Sequence, residues 1–272
     1  MATSATSDQL LVIIDPAARQ GDGESVRIAK DVLSAGAAAK VCLPDSPEEF
    51  ARALGRRGSR RPVVIGDDAA LVRAVGLLHR HRELADCALS VVPVGPASLA
   101  GALGVPLGAV AAARAVLEGG ERRLDLLVDD SDGVVLGCLG IPPTSVRALT
   151  PEPVGAPAHH HPWLRSTYRT LVRTLGSRPA RLRVDLDGET VTDLDRPVEA
   201  VSVTPSGHGV ASVEIHPFAF ADSTASVVTS ARTITVTGED FHYRADAVTS
   251  GPVRRRTWRV AEGAWGLVVP RG

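Results

Sequence analysis

The first apolar block, Leu10-Leu11-Val12-Ile13-Ile14, has no polar alternation and is rich in β-branched residues. That pattern predicts a parallel strand covered on both faces. Asp15-Pro16 ends it, and the polar stretch through Gly23 reads as a loop before a helix from about Ser25 to Ser34. The alternation repeats with a strand at Lys40 to Leu43, a helix around Pro47 to Leu54 and a strand at Pro62 to Ile65. Pro47 suits a first helical turn, where its missing N–H costs nothing. Ala69 to Leu78 then reads as a helix, Leu89 to Val94 as a buried strand and Leu107 to Leu117 as an alanine-rich helix. Strands and helices alternating at these lengths imply right-handed βαβ crossovers and an open parallel sheet. Such sheets bind ligands beyond the carboxyl ends of their strands.

After Leu124 to Val128 the period changes. A proline-rich stretch from Pro142 to Pro162 predicts an irregular excursion, and apolar positions at helical spacing predict a helix from about Leu164 to Leu175. Two-residue alternation then marks Leu182 to Leu186, Val201 to Val203, Val213 to Ile215, Ser226 to Val228 and Thr233 to Val236. These read as antiparallel strands with one wet face. The expected fold class is therefore α/β: an N-terminal Rossmann-like parallel-sheet domain over residues 1–126, then a β-rich second domain over 127–272. The terminal segment, about 264–272, is expected to return to the first domain.

Composition narrows the function classes. In 272 residues, 30 basic and 31 acidic side chains leave a net charge of -1, so no overall field gathers nucleic acid. The basic run Arg254-Arg255-Arg256 reads as a solvated strand edge. Lys30 and Lys40 are the only lysines, which restricts lysine chemistry. Cys42, Cys87 and Cys138 are widely spaced among apolar neighbours and read as reduced core residues. His159-His160-His161 lies in the proline-rich stretch and reads as an exposed segment rather than a metal centre. His208 and His216 flank predicted strands, where they either meet Asp222 or bond within the sheet. No apolar run reaches membrane-spanning length, and Met1 to Gln9 lacks the basic start of a signal peptide. The expectation is a cytoplasmic protein, at most peripheral at a membrane.

Ordered landmarks then suggest a relationship. Asp15-Pro16-Ala17-Ala18 follows the first strand, and Gly66-Asp67-Asp68-Ala69-Ala70 follows Val63-Val64-Ile65. Val92-Pro93-Val94-Gly95 and Leu103-Gly104-Val105-Pro106 come next, then Leu117-Glu118-Gly119, Arg123-Leu124-Asp125-Leu126 and Asp187-Gly188-Glu189. In order and spacing the chain resembles the diacylglycerol-kinase catalytic family, which includes sphingosine-kinase-like and bacterial lipid kinases. The resemblance covers nearly the whole chain. It implies a nucleotide-fold domain followed by a β-rich domain, similar to lipid and NAD kinases.

By position in the family motifs, Asp15, Gly66, Asp67, Asp68, Gly95 and Ser98 are the candidate cofactor-binding residues. Asp222 and Asp246 are the candidate catalytic residues, with Asp222 also the candidate metal ligand. Each motif departs from the family pattern. Asp15 stands where the family has asparagine, and the family's Gly-Gly-Asp-Gly-Thr becomes Gly66-Asp67-Asp68-Ala69-Ala70. Glycines there let backbone amides reach phosphates, whereas Asp67 and Asp68 either pair as metal ligands or cap the following helix. The Gly-Thr-Gly-Asn-Asp pattern becomes Gly95-Pro96-Ala97-Ser98-Leu99, in which Ser98 either bonds a ligand or caps a helix. Of the family's acidic stretch, Ala221-Asp222-Ser223-Thr224-Ala225-Ser226 keeps one carboxylate, and Asp246-Ala247-Val248 stands in place of Asp-Gly-Glu.

Phosphoryl transfer depends chiefly on positioning and charge compensation, and each departure removes one or the other. The expectation is a lipid-kinase-like protein that has lost phosphotransfer and binds a small-molecule or lipid ligand as an accessory protein, with a homo-oligomer as its assembly. The alternative is an active ATP-dependent lipid kinase using ATP and Mg²⁺ to phosphorylate a diacylglycerol-like or sphingoid alcohol.

Overall fold

The computed structural model describes residues 9–143, 180–218 and 226–271. Its first half runs β1 (Leu10–Ile14), α1 (Pro16–Gly21), α2 (Gly23–Gly36), β2 (Ala39–Cys42), α3 (Pro47–Gly55), β3 (Arg61–Gly66), α4 (Asp68–Arg80), β4 (Ala88–Pro93), α5 (Ser98–Ala102) and α6 (Ala109–Glu118). Among the described residues the second half holds strands only: β5 (Gly120–Asp129), β6 (Val134–Val135), β7 (Leu139–Ile141), β8 (Leu182–Leu186), β9 (Glu189–Thr192), β10 (Val198–Gly207), β11 (Val210–Pro217), β12 (Val227–Ala231), β13 (Thr233–Ala245) and β14 (Val248–Val269).

The pairing β2-β1-β3-β4 is parallel, with Leu10 opposite Ala39 and Arg61, and Val63 opposite Ser90. Period-two alternation along β1 explains the three layers. Leu11 and Ile13 join one core with Phe50, Leu54, Leu71 and Leu78, while Leu10, Val12 and Ile14 join another with Val26, Leu33 and Ala112. A strand with both faces buried needs no polar positions, which is why its sequence is a continuous apolar run. A third core fills the β-rich half, around Trp258, Leu139, Val203, Val213 and Ile234.

The two halves share one sheet through β14. Its early part pairs antiparallel with β13, and its end lies parallel to β4, with Gly266 beside Ala88 and Leu267 beside Leu89. Antiparallel β5 lines the same strand from Asp129 opposite Trp258 to Gly120 opposite Val269. Adjacent residues of β5 enter different cores, Leu126 the helix-covered one and Leu127 the β-rich one. The pairing breaks register between Ala261 and Trp265. There the Asp125 carboxylate accepts Gly263 N–H at 2.7 Å and Gly209 N–H at 2.8 Å, tying the bulge to the β10–β11 turn.

Several sequence expectations need correction. The polar stretch after Asp15, read as a loop, contains helix α1: Pro16 occupies its first turn and the Asp15 carboxylate accepts Ala17 N–H at 2.9 Å. Helix α5 and most of β14 carried no recognisable period. The Arg254-Arg255-Arg256 run lies within β14; Arg254 is exposed and Arg256 pairs with Asp130. The Asp187-Gly188 landmark is the turn between β8 and β9, with both residues at positive φ as a two-residue hairpin requires. Cys42, Cys87 and Cys138 are free thiols, and burial pushes the pKa of Cys87 and Cys138 up. The predicted helix at Leu164 to Leu175, most of the proline-rich stretch, His159 to His161 and Asp222 lie outside the described residues. Among the described residues no helix is long and apolar enough to cross a membrane.

Candidate functional site

The carboxyl ends of β1, β3 and β4 bring three predicted site segments side by side. Asp15 N–H donates to Ile65 O at 2.9 Å, Val94 N–H to Gly66 O at 2.9 Å and Asp68 N–H to Pro96 O at 3.0 Å. Asp15, Gly66 to Asp68, and Gly95 to Ser98 therefore form one rim at the place where an open parallel sheet binds ligands. Gly66 must be glycine: a Cβ there would come within 2.7 Å of the Ala70 Cβ and 3.0 Å of the Asp15 Cβ. Gly95 sits at φ +96°, a conformation that side chains disfavour.

Each carboxylate on this rim is already engaged by the chain itself. Asp15 is buried; one oxygen caps α1 and the other meets Arg73 Nη1 at 2.7 Å. Arg73 in turn lies over the Phe50 ring, 5.5 Å from its centre. Asp67 caps its own helix, accepting Ala70 N–H at 2.9 Å. Asp68 turns the other way and caps α5: one oxygen accepts Leu99 N–H at 2.8 Å and Ser98 Oγ–H at 3.2 Å, the other Ala100 N–H at 2.9 Å. Asp67 and Asp68 thus serve two different helices and do not form the paired metal ligands that adjacency suggested. Ser98 is not a cap either. It is the first residue of α5, whose N-cap, Ala97, makes no side-chain bond.

Across the rim stands Asp246, at φ +50° in the turn between β13 and β14. Its carboxylate sits in a nest of three backbone donors, Leu136 N–H at 2.7 Å, Gly137 N–H at 2.8 Å and Cys138 N–H at 2.9 Å. Its own N–H returns to Cys138 O at 2.9 Å. Burial raises its pKa above the ordinary carboxylate value; the three donors pull it down, and the negative charge of Asp68 pushes it up again. Leu99, whose N–H the Asp68 carboxylate accepts, reaches toward Gly137. A Cβ added to Gly137 would fall 2.5 Å from Leu99 Cδ1 and 3.1 Å from Asp246 Oδ1, so the leucine side chain is seated against Gly137 near the half-buried Asp246.

Among the described carboxylates, a set that does not include Asp222, the fit to Mg²⁺ is poor. A cation there needs several carboxylate oxygens with free lone pairs converging on one point. Here Asp15, Asp68 and Asp246 each already accept two or three protein donors, and the Leu99 side chain lies against Gly137 near Asp246. Among the described residues no cluster of three or more His, Cys, Asp or Glu could hold a metal ion. His216 Nε2 lies 3.2 Å from Glu214, within the β-rich half.

Arg73 and Gly137 escaped the sequence reading. Arg73 meets Asp15 from 58 positions away, and no local pattern announces such a pair. Gly137 stands inside Val134-Val135-Leu136-Gly137-Cys138, where an interrupted apolar run marks a close backbone approach.

No protein-family model and no curated protein matches the chain. Solved structures do. One, described as "a putative diacylglycerol kinase from Bacillus anthracis str. Sterne", superposes with a TM-score of 0.73 at 16% identity, over 99% of this chain and 98% of that one. Another, described as a diacylglycerol kinase from the same organism, gives a TM-score of 0.72 at 15% identity, over 98% of each chain. At these identities the likeness establishes the fold: this chain has a diacylglycerol-kinase-like fold along essentially its whole length.

Proposed function

We propose that this protein keeps the lipid-kinase-like fold without phosphotransfer and works as a ligand-binding or accessory protein. The observation that carries the reading is Leu99, whose N–H occupies the Asp68 carboxylate and whose side chain is seated against Gly137 near Asp246, itself held by backbone donors. Phosphoryl transfer needs charge compensation for the moving phosphoryl group and a base for the attacking alcohol. Both functions require carboxylates that are free to turn toward a substrate or metal. On this rim, two carboxylates cap the helices that follow their strands, one caps a neighbouring helix and one fills a backbone nest. Redirecting any of them toward a ligand would leave backbone donors unpaired, at about 1–3 kcal/mol each.

The rim also disfavours a polyphosphate directly. Asp67 places a negative side chain at the start of α4, where the helix dipole and free amides would otherwise attract phosphate, and it occupies one of those amides itself. A neutral or cationic small molecule, or the neutral headgroup of a lipid, meets no such repulsion.

The test is calorimetric titration of the full chain with ATP, with and without Mg²⁺, beside an assay for ATP-dependent phosphorylation of diacylglycerol and of a sphingoid base in mixed micelles. The expected result is no more than trace phosphorylated lipid and no Mg²⁺-enhanced ATP binding. Sustained Mg²⁺-dependent turnover on either lipid would overturn the reading in favour of an active lipid kinase.

A further inference from the structure

Between β2 and α3 lies a hollow of about 330 Å³. Two-residue alternation turns Lys40 and Cys42 of β2 toward it, and Leu11 of β1, opposite Lys40 in the register, lies at its floor. On the facing wall, Glu49, Arg52, Ala53 and Arg56 share one side of α3 and its cap by their spacing of three and four residues. Phe50 and Leu54, on the other side of the helix, are buried in the core and fix that wall in place.

The hollow is apolar at its base and cationic at its margin. Leu11 is buried and Cys42 and Ala53 are half-buried, whereas Lys40, Arg52 and Arg56 are exposed. With Glu49 these three cations leave a net charge of +2. The one carboxylate is engaged: Glu49 accepts Asp45 N–H at 2.9 Å and lies 3.6 Å from Arg52. Among the described residues the Lys40 and Arg56 side chains meet no carboxylate. Arg52 and Arg56 stand four residues apart, a like-charge spacing that costs helix stability unless an anion relieves it. The charge is opposite to that of the rim, and no lining residue belongs to the rim.

We propose that this hollow binds a phosphate monoester of a small apolar alcohol, with the phosphate at Lys40, Arg52 and Arg56 and the apolar group against Leu11, Cys42 and Ala53. A phosphate monoester carries a charge of about −1.5 to −2 at pH 7, which matches the margin better than the single charge of a carboxylate. Its three acceptor oxygens suit guanidinium and ammonium donors arriving from two elements. The volume lies near the lower end of the roughly 300–1,000 Å³ of small-molecule sites, so the occupant is compact. The same chemistry arrives either as a soluble ester or as a lipid headgroup. Binding here holds whether or not the rim transfers phosphate.

Isothermal titration of the full chain with phenyl phosphate tests this, beside benzoate and benzyl alcohol. Saturable one-to-one binding of phenyl phosphate is expected, with benzoate several-fold weaker and benzyl alcohol inert. Lys40→Met and Arg56→Gln, checked for folding by circular dichroism, are each expected to weaken phenyl phosphate about threefold to tenfold. Lys30→Gln, a cation of α2 outside the hollow, is expected to change nothing. On the unaltered chain, saturating phenyl phosphate is expected to slow maleimide labelling of Cys42 several-fold, followed by mass spectrometry. Flotation with phosphatidylcholine vesicles, with and without phosphatidate, separates the two sources. Phosphatidate-dependent binding that the Lys40→Met, Arg56→Gln double variant loses assigns a lipid headgroup, and its absence beside phenyl phosphate binding assigns a soluble ester. No saturable binding of phenyl phosphate would overturn the proposal. So would an affinity that Lys40→Met and Arg56→Gln leave unchanged or that Lys30→Gln lowers equally, and so would Cys42 labelling that phenyl phosphate fails to slow.

Discussion

The Asp68 carboxylate accepts the backbone N–H of Leu99 at 2.8 Å, so a side chain at the start of α4 supplies the cap that α5 lacks on its own. The bond couples the loops after β3 and β4 and holds Leu99 at the entrance to the rim. Asp68→Ala is expected to lower stability by about 1–2 kcal/mol, the cost of losing a helix cap. Asp68→Asn, which keeps one acceptor, should recover part of it. Urea unfolding measures both, and hydrogen exchange should show the loss of protection concentrated in α5. An unchanged midpoint for Asp68→Ala would mean that α5 is held by packing alone.

Arg73 matters to the same rim through Asp15. Removing one partner of a fully buried ion pair costs about 3–5 kcal/mol. Arg73 is about a third exposed, so water reaches the pair and the expected loss for Arg73→Ala is about 1–3 kcal/mol. The contact over Phe50 adds packing that lysine reproduces poorly, so Arg73→Lys should fall between the two. Thermal and urea unfolding of the three proteins give the order directly.

Two carboxylates of the β-rich half should titrate in opposite directions. Burial is the largest influence on Asp246 and raises it above the ordinary 3.8. Burial also acts most strongly on Asp129, but donors from Gly133 and Ser131 and the charge of Arg256 together outweigh it and leave that group below 3.8. The signs for stability follow by linkage. Asp129 contributes stability above its unfolded pKa, lost as pH falls through its folded one. Asp246 does the reverse: its contribution is present below the unfolded pKa and is lost as pH rises through the raised folded value. Carboxyl-carbon NMR titration should place the two midpoints on opposite sides of 3.8. Asp68→Asn should bring the Asp246 midpoint down by removing a like charge while leaving Asp129 unmoved.

The layout of the first half was legible because both faces of its strands are buried. Leu10 to Ile14 and Pro62 to Ile65 advertise themselves as apolar runs, and the turn from Gly66 into α4 follows the capping chemistry of Asp67. What escaped was structure whose cause lies far along the chain. Helix α5 has no cap of its own because Asp68 provides it from 31 positions away, so Ser98 looked like the cap it is not. Strand β14 changes partners along its length, from β13 to β4 with β5 alongside, and its polar and apolar positions therefore follow no single period. The site shows the same division. Sequence marks which carboxylates gather at the rim, but whether their oxygens face a ligand or the chain's own amides depends on donors that no local pattern reveals.

Restoring the glycines of the β3–α4 loop separates nucleotide binding from turnover. Asp67→Gly removes a negative charge and frees the Ala70 amide, which is one of the donors a phosphate would need. Glycine is itself a tolerable N-cap, so this change should cost only a few tenths of a kcal/mol in stability. Ala69→Gly falls in the first turn of α4, where glycine costs up to about 1 kcal/mol relative to alanine and opens the backbone to closer approach. The double variant is therefore expected to be slightly less stable than wild type and to bind ATP a few-fold more tightly, roughly 1 kcal/mol. Turnover should not return, because the change leaves Leu99 against Gly137 and the Asp246 carboxylate in its nest. Parallel titration with ATP and assay of lipid phosphorylation distinguish the cases. Lipid phosphorylation by the double variant would place the block in the loop after β3 alone and relieve Leu99 and Asp246 of any part in it.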